Sequence, residues 1–381
     1  MFTLLDTIFL FILLLSIVYF LTLLITSFYH LRMSRPPNCS DTPAVSILKP
    51  LKGLDHHLED NLRSFFLLDY PKYELIFGVS DEKDPAVAVV QNLQQEFPQI
   101  SSRLIIDSTE TGLNPKINNL QNMSCYARFS YFLISDSNIR VTPGYLKDLM
   151  AHMQISGTGL VTSTIRGRIG SRVGSVLESL HLNAFIAPNV FAINNLIKLP
   201  ISIGKSMLFR KEEFNRLGGF RAYRNLLAED HLIGTGMKSL GLKVRTSPLP
   251  IDNINGNWNI TNFMSRHLRW AKLRKNLNEF YYMAELLSNP IPLAMIYAFI
   301  RWELIAFQMM LAVILIKMLI DIIIIRLLKS DIRWFQYLFI PIKDLLIGFI
   351  WFVPHFSRKV SWRGNTFKIS RNTQLIPIMK G

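Results

Sequence analysis

An almost unbroken apolar run from Leu4 to Phe28 limits the fold of this 381-residue chain more than any other feature. Its one charge is Asp6, set among a few threonines and serines. At about 1.5 Å per helical residue, such a stretch can cross a hydrocarbon core. A cleaved leader would begin with basic residues, carry a shorter apolar run and end in small residues. Here the start is uncharged and the run is longer, so an uncleaved anchor is expected over residues 1–30. His30, Arg32 and Arg35 follow it. By the positive-inside rule, the domain after them faces the cytoplasm.

Apolar sequence returns near the other end. Leu304–Ile325 is a second long run, the loop from Arg326 to Arg333 is basic, and a third run extends from Trp334 to Pro354. Ile291–Ile300 is shorter and lies between prolines 290 and 292 and the charged pair Arg301 and Glu303. It reads as an interfacial or re-entrant helix, or as a further kinked span. A membrane region is thus expected over 288–356 and a basic tail over 357–381. Two spans there leave the tail in the cytoplasm; three place it outside.

Net charge is 42 − 27 = +15. Basic flanks of membrane helices, an anionic lipid surface and a phosphorylated substrate each account for such an excess. Nucleic acid is not an expected partner, because no basic–aromatic repeat or helix-turn-helix pattern occurs. Cys39 and Cys125 have no metal-type spacing and cannot build a disulfide scaffold, which fits a reducing compartment.

Between the apolar ends the pattern alternates. Val45–Leu48 has strand character and runs into the turn Lys49-Pro50-Leu51-Lys52-Gly53; Leu58–Leu68 then has apolar residues at helical spacing. Tyr73–Val79 is the next strand, followed by an acidic turn ending at Asp84 and a helix over Ala86–Phe97 that Pro85 can open. Arg103–Asp107 and Tyr131–Ser135 are two more strands. Alternation of this kind predicts an α/β domain over 40–280, with a mixed, mostly parallel sheet covered by helices. Ligands of such sheets bind at the carboxyl ends of the strands, where Asp84 and Asp136 both fall. Arg266, Arg269 and Trp270 stand at i, i+3 and i+4 and so share one helical face. Each of these also has a plainer reading: Asp84 as a helix cap, Asp136 as a turn residue, Ala228-Glu229-Asp230 as a solvated acidic turn, and the basic pentad as part of an interfacial helix.

Several segments, in order, resemble the ceramide glucosyltransferase family, including its bacterial members linked to hopanoid lipids. They are Val45-Ser46-Ile47-Leu48-Lys49-Pro50-Leu51-Lys52-Gly53, Asp84-Pro85-Ala86 and Gly112-Leu113-Asn114-Pro115-Lys116-Ile117-Asn118-Asn119-Leu120. Ile134-Ser135-Asp136-Ser137-Asn138-Ile139-Arg140-Val141, Ala228-Glu229-Asp230 and Arg266-His267-Leu268-Arg269-Trp270 complete the set. The tail Val360-Ser361-Trp362-Arg363 is similar to the family's C-terminal end. The family consists of inverting, GT-A-fold glycosyltransferases related to cellulose and hyaluronan synthases.

The resemblance implies a membrane-bound transfer of a hexose from a UDP-sugar to a lipid hydroxyl, on ceramide or a hopanoid. It implies that Asp84 binds the uracil or ribose, and that Asp136 holds Mg²⁺ or Mn²⁺. Asn138 stands where related enzymes have a second carboxylate, so diphosphate and water must complete the metal's oxygen shell. Asp230 is the implied general base, with Glu229 beside it able to perturb a pKa. Arg266 and Arg269 are implied at the leaving diphosphate, Trp270 on a sugar ring or the acceptor, and Lys116 at the donor phosphates. Where eukaryotic members carry a His-Pro pair, this chain has Ala187-Pro188, with His181 nearby but out of register. That departure leaves the acceptor and the sugar open, N-acetylglucosaminyl transfer to a hopanoid included. A polysaccharide synthase would need more C-terminal spans. A membrane scaffold without catalysis would not need all three aspartates and the pentad.

Overall fold

The computed structural model describes residues 4–33, 41–168, 170–362 and 365–378, so Arg35, Cys39 and Arg363 lie outside the described residues. The chain divides into an α/β unit, residues 30–166 and 193–256, and a helical unit, residues 1–29, 167–192 and 257–381.

The α/β unit is built on eight strands: β1 Val45–Pro50, β2 Tyr73–Val79, β3 Ser102–Ile106, β4 Tyr131–Ile134, β5 Ile139–Arg140, β6 Thr158–Arg168, β7 Met207–Arg210 and β8 Lys243–Ile254. Their order across the sheet is β3-β2-β1-β4-β7-β6-β8-β5. β1 pairs in parallel with β2 and β4, and β2 with β3. β7 runs antiparallel to β4 and to β6, as β5 does to β8. The sheet is therefore mixed, as expected.

Every residue of β1 and β2 is buried, the signature of strands covered on both faces. One face carries a core of Leu48, Ile76, Ile117, Leu120, Phe132 and Phe209, among others. The helix Pro115–Ser124 packs tightly there: a Cβ on Gly78 would come within 2.0 Å of Asn119 Oδ1, and Asn119 Nδ2 donates to Gly78 O at 2.8 Å. Only glycine admits that approach.

Among the described residues, three helical runs are long and apolar enough to cross a membrane: 6–32, 173–197 and 334–355. A bent pair, 279–288 and 290–301 with 67° between its halves, makes a fourth if it is one span. The helix Leu304–Leu327 has 24 residues and carries a buried Lys317–Asp321 ion pair. In the helical unit, Asp6 accepts a hydrogen bond from Tyr297 at 2.7 Å and pairs with Arg301 at 3.3 Å, so the anchor's one acid is matched. The run at 173–197 contains a π-helical turn, Leu182–Ile186, just before Pro188. Proline cannot donate to the preceding turn, and the wider turn lets the helix continue past it. The tail forms a small antiparallel sheet of residues 359–362, 365–369 and 375–377.

Candidate active site

Loop chemistry sets the position of Lys116. Asn114 caps the helix Pro115–Ser124, its side chain accepting from Lys116 N at 3.0 Å and Ile117 N at 3.2 Å, and Pro115 occupies the first helical position. Asn118 clamps the loop before it, accepting from Gly112 N at 3.0 Å and donating to Gly112 O at 2.8 Å. The asparagines thus hold backbone, and the lysine between them is aimed inward.

Lys116 Nζ lies 2.9 Å from Asp136 Oδ1, 3.4 Å from Glu229 Oε1 and 3.0 Å from Gly204 O. Burial works against its charge, but Asp136, Glu229 and Asp230 outweigh it and hold the ammonium above the usual lysine range. Asp136 comes directly after β4, at its carboxyl end. Its other carboxylate oxygen is 3.4 Å from Lys205 Nζ, and its backbone carbonyl accepts from Lys49 Nζ at 2.9 Å. Lys49 is fully buried, with its ammonium 3.5 Å from the centre of the Phe65 ring. Burial pulls its pKa well below the ordinary value, against the attraction of Asp136.

Asp230 opens the helix Glu229–Ser239. Its carboxylate accepts from Gly204 N at 2.9 Å and His231 N at 2.8 Å. A Cβ on Gly204 would stand 2.9 Å from Asp230 Oδ2 and 3.2 Å from Lys116 Nζ, so the glycine lets the two approach. Glu229, next in sequence, is buried. Burial raises its pKa most, Lys116 opposes that, and Asp230 adds to the rise. The expected coupling between neighbouring acids is present, with desolvation as the larger cause.

The α/β unit therefore brings Lys116, Asp136 and Asp230 together. Asp84 follows β2, which β1 separates from β4 in the sheet. Its carboxylate accepts from Gly53 N at 2.8 and 3.0 Å and from Ala86 N at 2.9 Å. It caps a helix start and ties the turn after β1 to the turn after β2.

The pentad lies on the helix Ile260–Leu277 of the helical unit. Arg266 sits between Trp258 and Trp270, 5.1 and 4.4 Å from the ring centres, and pairs with Glu178 at 3.2 Å. His267 Nε2 is 2.6 Å from the other oxygen of Glu178. Arg269 is half-buried on the same helix. Trp270 thus stacks on its own helix's arginine. On the same helix Lys272 donates to Lys359 O at 2.5 Å, Arg274 pairs with Glu285 at 2.6 Å and Lys275 with Glu279 at 3.6 Å.

Glu178, Lys49 and Lys205 did not stand out in sequence. Two of them had a readable signal, a lone acid in an apolar helix and a lysine within an apolar strand, since unpaired charges rarely occupy such places. Lys205 had none, because its role depends on contact with Asp136 and Asn138.

Comparison with known proteins bears on the family and the fold. Ceramide glucosyltransferase 3 of Caenorhabditis elegans is 28% identical over 89% of this chain and 75% of its own length. Ceramide glucosyltransferase 1 of the same organism is 30% identical over 72% of this chain, which spans 58% of that relative. Among solved structures, a mannosyltransferase from Pyrobaculum calidifontis, in complex with GDP-Man and Mn²⁺, matches 93% of this chain and 99% of its own, with a TM-score of 0.52 at 15% identity. That likeness establishes a glycosyltransferase fold. The model of glycosyl transferase family 21 matches residues 8–375, nearly end to end, and the chain, which sets Lys116 between an aspartate near a strand end and two acids at a helix start, belongs to that family.

Proposed function

We propose that the chain transfers glucose from UDP-glucose to a hydroxyl of ceramide, with inversion at the sugar, from the cytoplasmic face of a membrane. The observation that carries this reading is the cluster of Lys116, Asp136, Glu229 and Asp230 in a family whose relatives are ceramide glucosyltransferases. The apolar helices supply the membrane, and Arg32 after the first of them favours the cytoplasmic side.

A divalent cation fits the residues present. Asp136, Glu229 and Asp230 offer carboxylate oxygens and Asn138 an amide oxygen, the donor type Mg²⁺ and Mn²⁺ prefer, beside Lys116 and Lys205, which already pair with Asp136. Among the described residues no three acidic, histidine or cysteine side chains form a ready-made metal cage, so Asp136 would hold the ion together with diphosphate oxygens. When bound, the ion offsets charge on the leaving UDP.

The chain's own residues do the rest. Lys116 and Lys205 hold the Asp136 carboxylate from both sides. Asp84, whose carboxylate ties Gly53 N and Ala86 N, is assigned to the uracil or ribose by the family resemblance. Asp230 has one carboxylate oxygen oriented by Gly204 N and the other by His231 N. It takes the proton of the acceptor hydroxyl as the oxygen attacks the anomeric carbon. Arg266, which stacks on Trp270 and pairs with Glu178, and Arg269 are assigned to the departing diphosphate by the family resemblance.

The test is direct. The full chain, in detergent, is incubated with ceramide and UDP-glucose, UDP-galactose or UDP-N-acetylglucosamine, and the lipid products are weighed by mass spectrometry. A glucosylceramide from UDP-glucose supports the reading; a product only from another nucleotide, or no glycolipid at all, refutes it.

A further inference from the structure

Lys205 stands beside both ends of the Asp136-Ser137-Asn138 segment. Its ammonium lies 2.7 Å from Asn138 Oδ1 and 3.4 Å from Asp136 Oδ2. A chain of amides sets the direction of that Asn138 oxygen. Asn253 donates to Asn255 Oδ1 at 2.6 Å, and its own oxygen accepts from Asn138 Nδ2 at 3.2 Å. With its amide nitrogen engaged there, Asn138 presents Oδ1 to Lys205. The backbone on either side of the lysine is pinned. Gly204 N donates to Asp230 at 2.9 Å, Gly204 O accepts from Lys116 at 3.0 Å, and Ser206 Oγ is 2.6 Å from the Tyr145 hydroxyl. Movement at this position therefore belongs to the four-carbon stem, which keeps the ammonium within the site.

The two oxygens that Lys205 contacts are the ones a divalent ion on this segment would take. Such an ion sits about 2.0–2.6 Å from its oxygens, so an ammonium bridging the same pair stands in its place. Two cations that close repel strongly, the more so in a partly buried site. Lys116 differs. It also pairs with Glu229 at 3.4 Å and donates to Gly204 O, so it keeps partners when Asp136 turns to a metal. We propose that Lys205 competes with the divalent ion for Asp136 and Asn138, and that a nucleoside diphosphate relieves the competition by offering the displaced ammonium a phosphate oxygen. Metal and nucleotide then bind as a pair, each strengthening the other. The inference rests on the metal and donor reading above and adds a residue that couples the two.

Mn²⁺ binding is measured on the full chain in detergent, without acceptor lipid, from the loss of the free ion's electron paramagnetic resonance signal, with and without UDP. In the wild type, saturating UDP should tighten Mn²⁺ binding about tenfold. Lys205→Met and Lys205→Gln should each bind Mn²⁺ alone about tenfold more tightly than the wild type, and UDP should then add about threefold or less. Lys205→Arg keeps the charge and should stay close to the wild type. A lysine that only braced its loop would give the opposite sign, because its loss would loosen the site and weaken Mn²⁺ binding. Mn²⁺ affinity that is unchanged or weaker in both neutral variants, while UDP still tightens it in the wild type, overturns the proposal and leaves the metal reading in place. No Mn²⁺ binding to the wild type even with UDP removes both. The expected Mn²⁺ shifts in a chain that transfers no glucose would leave the cation exchange standing and remove the proposed reaction.

Discussion

Asp230 and Glu229 are neighbours in sequence with different surroundings. Glu229 is buried against Lys116 and Asn114, whereas Asp230 is half-exposed and oriented by two backbone amides. The exposed one is therefore suited to take a proton from an incoming substrate. Asp230→Asn should lower kcat by about 10²–10⁴-fold and leave UDP-glucose affinity within about twofold. Steady-state transfer and calorimetric titration together check this, and a variant with wild-type turnover would remove Asp230 from the role. Lys116→Met leaves the buried Glu229 without its cation and the half-exposed Asp136 with Lys205 alone. It should cost about 3–5 kcal/mol of stability, seen as a lower melting temperature. Lys49 gives a pH signature. Its folded pKa lies below the ordinary 10.5, so above that lowered value the unfolded chain binds the proton that the folded chain has released. Stability from this group therefore rises with pH until 10.5 is reached. Relative to Lys49→Met, the wild type should gain melting temperature as pH rises toward 10.5; a flat or falling difference contradicts the shift.

Elements decide whether these residues meet. The loop carrying Gly204 lies against Asp230, and the Gly204→Ala methyl would fall 2.9 Å from that carboxylate and 3.1 Å from its Cβ. Transfer should drop about tenfold or more with the melting temperature little changed, because the cost falls on the geometry of the base. The strands β1, β2 and β4 were legible because each is a plain apolar run, with turn signals such as Gly53 and Pro85 nearby, whereas the helix over 115–124 was not read although Asn114-Pro115 is a cap signal. Nor was the helical run at 173–197. It mixes serine, glutamate, histidine and asparagine into an apolar stretch, and its π turns break the 3.6-residue period that would have revealed it. Its Glu178 turned out to hold both Arg266 and His267.

At the scale of the molecule, the chain pairs a nucleotide-sugar type of sheet with apolar helices of membrane-crossing length. The proposed metal makes a prediction here: EDTA should abolish transfer, and added Mn²⁺ or Mg²⁺ should restore it. Full activity in excess chelator would show that Lys116 and its neighbours act without an ion. By itself, the sequence determined the apolar ends, the alternation between them and the identity of the acids, because local period and residue type are properties of short segments. Even Asp84, readable at once as a helix cap, was assigned from its neighbours Pro85 and Ala86. Only the tertiary structure decided that Lys116 sits among Asp136, Glu229 and Asp230 and that Glu178 pairs with Arg266 and His267. Those meetings join residues up to about a hundred positions apart in the chain. Charge in a buried place is set by what packs against it, and packing is not written in any one segment.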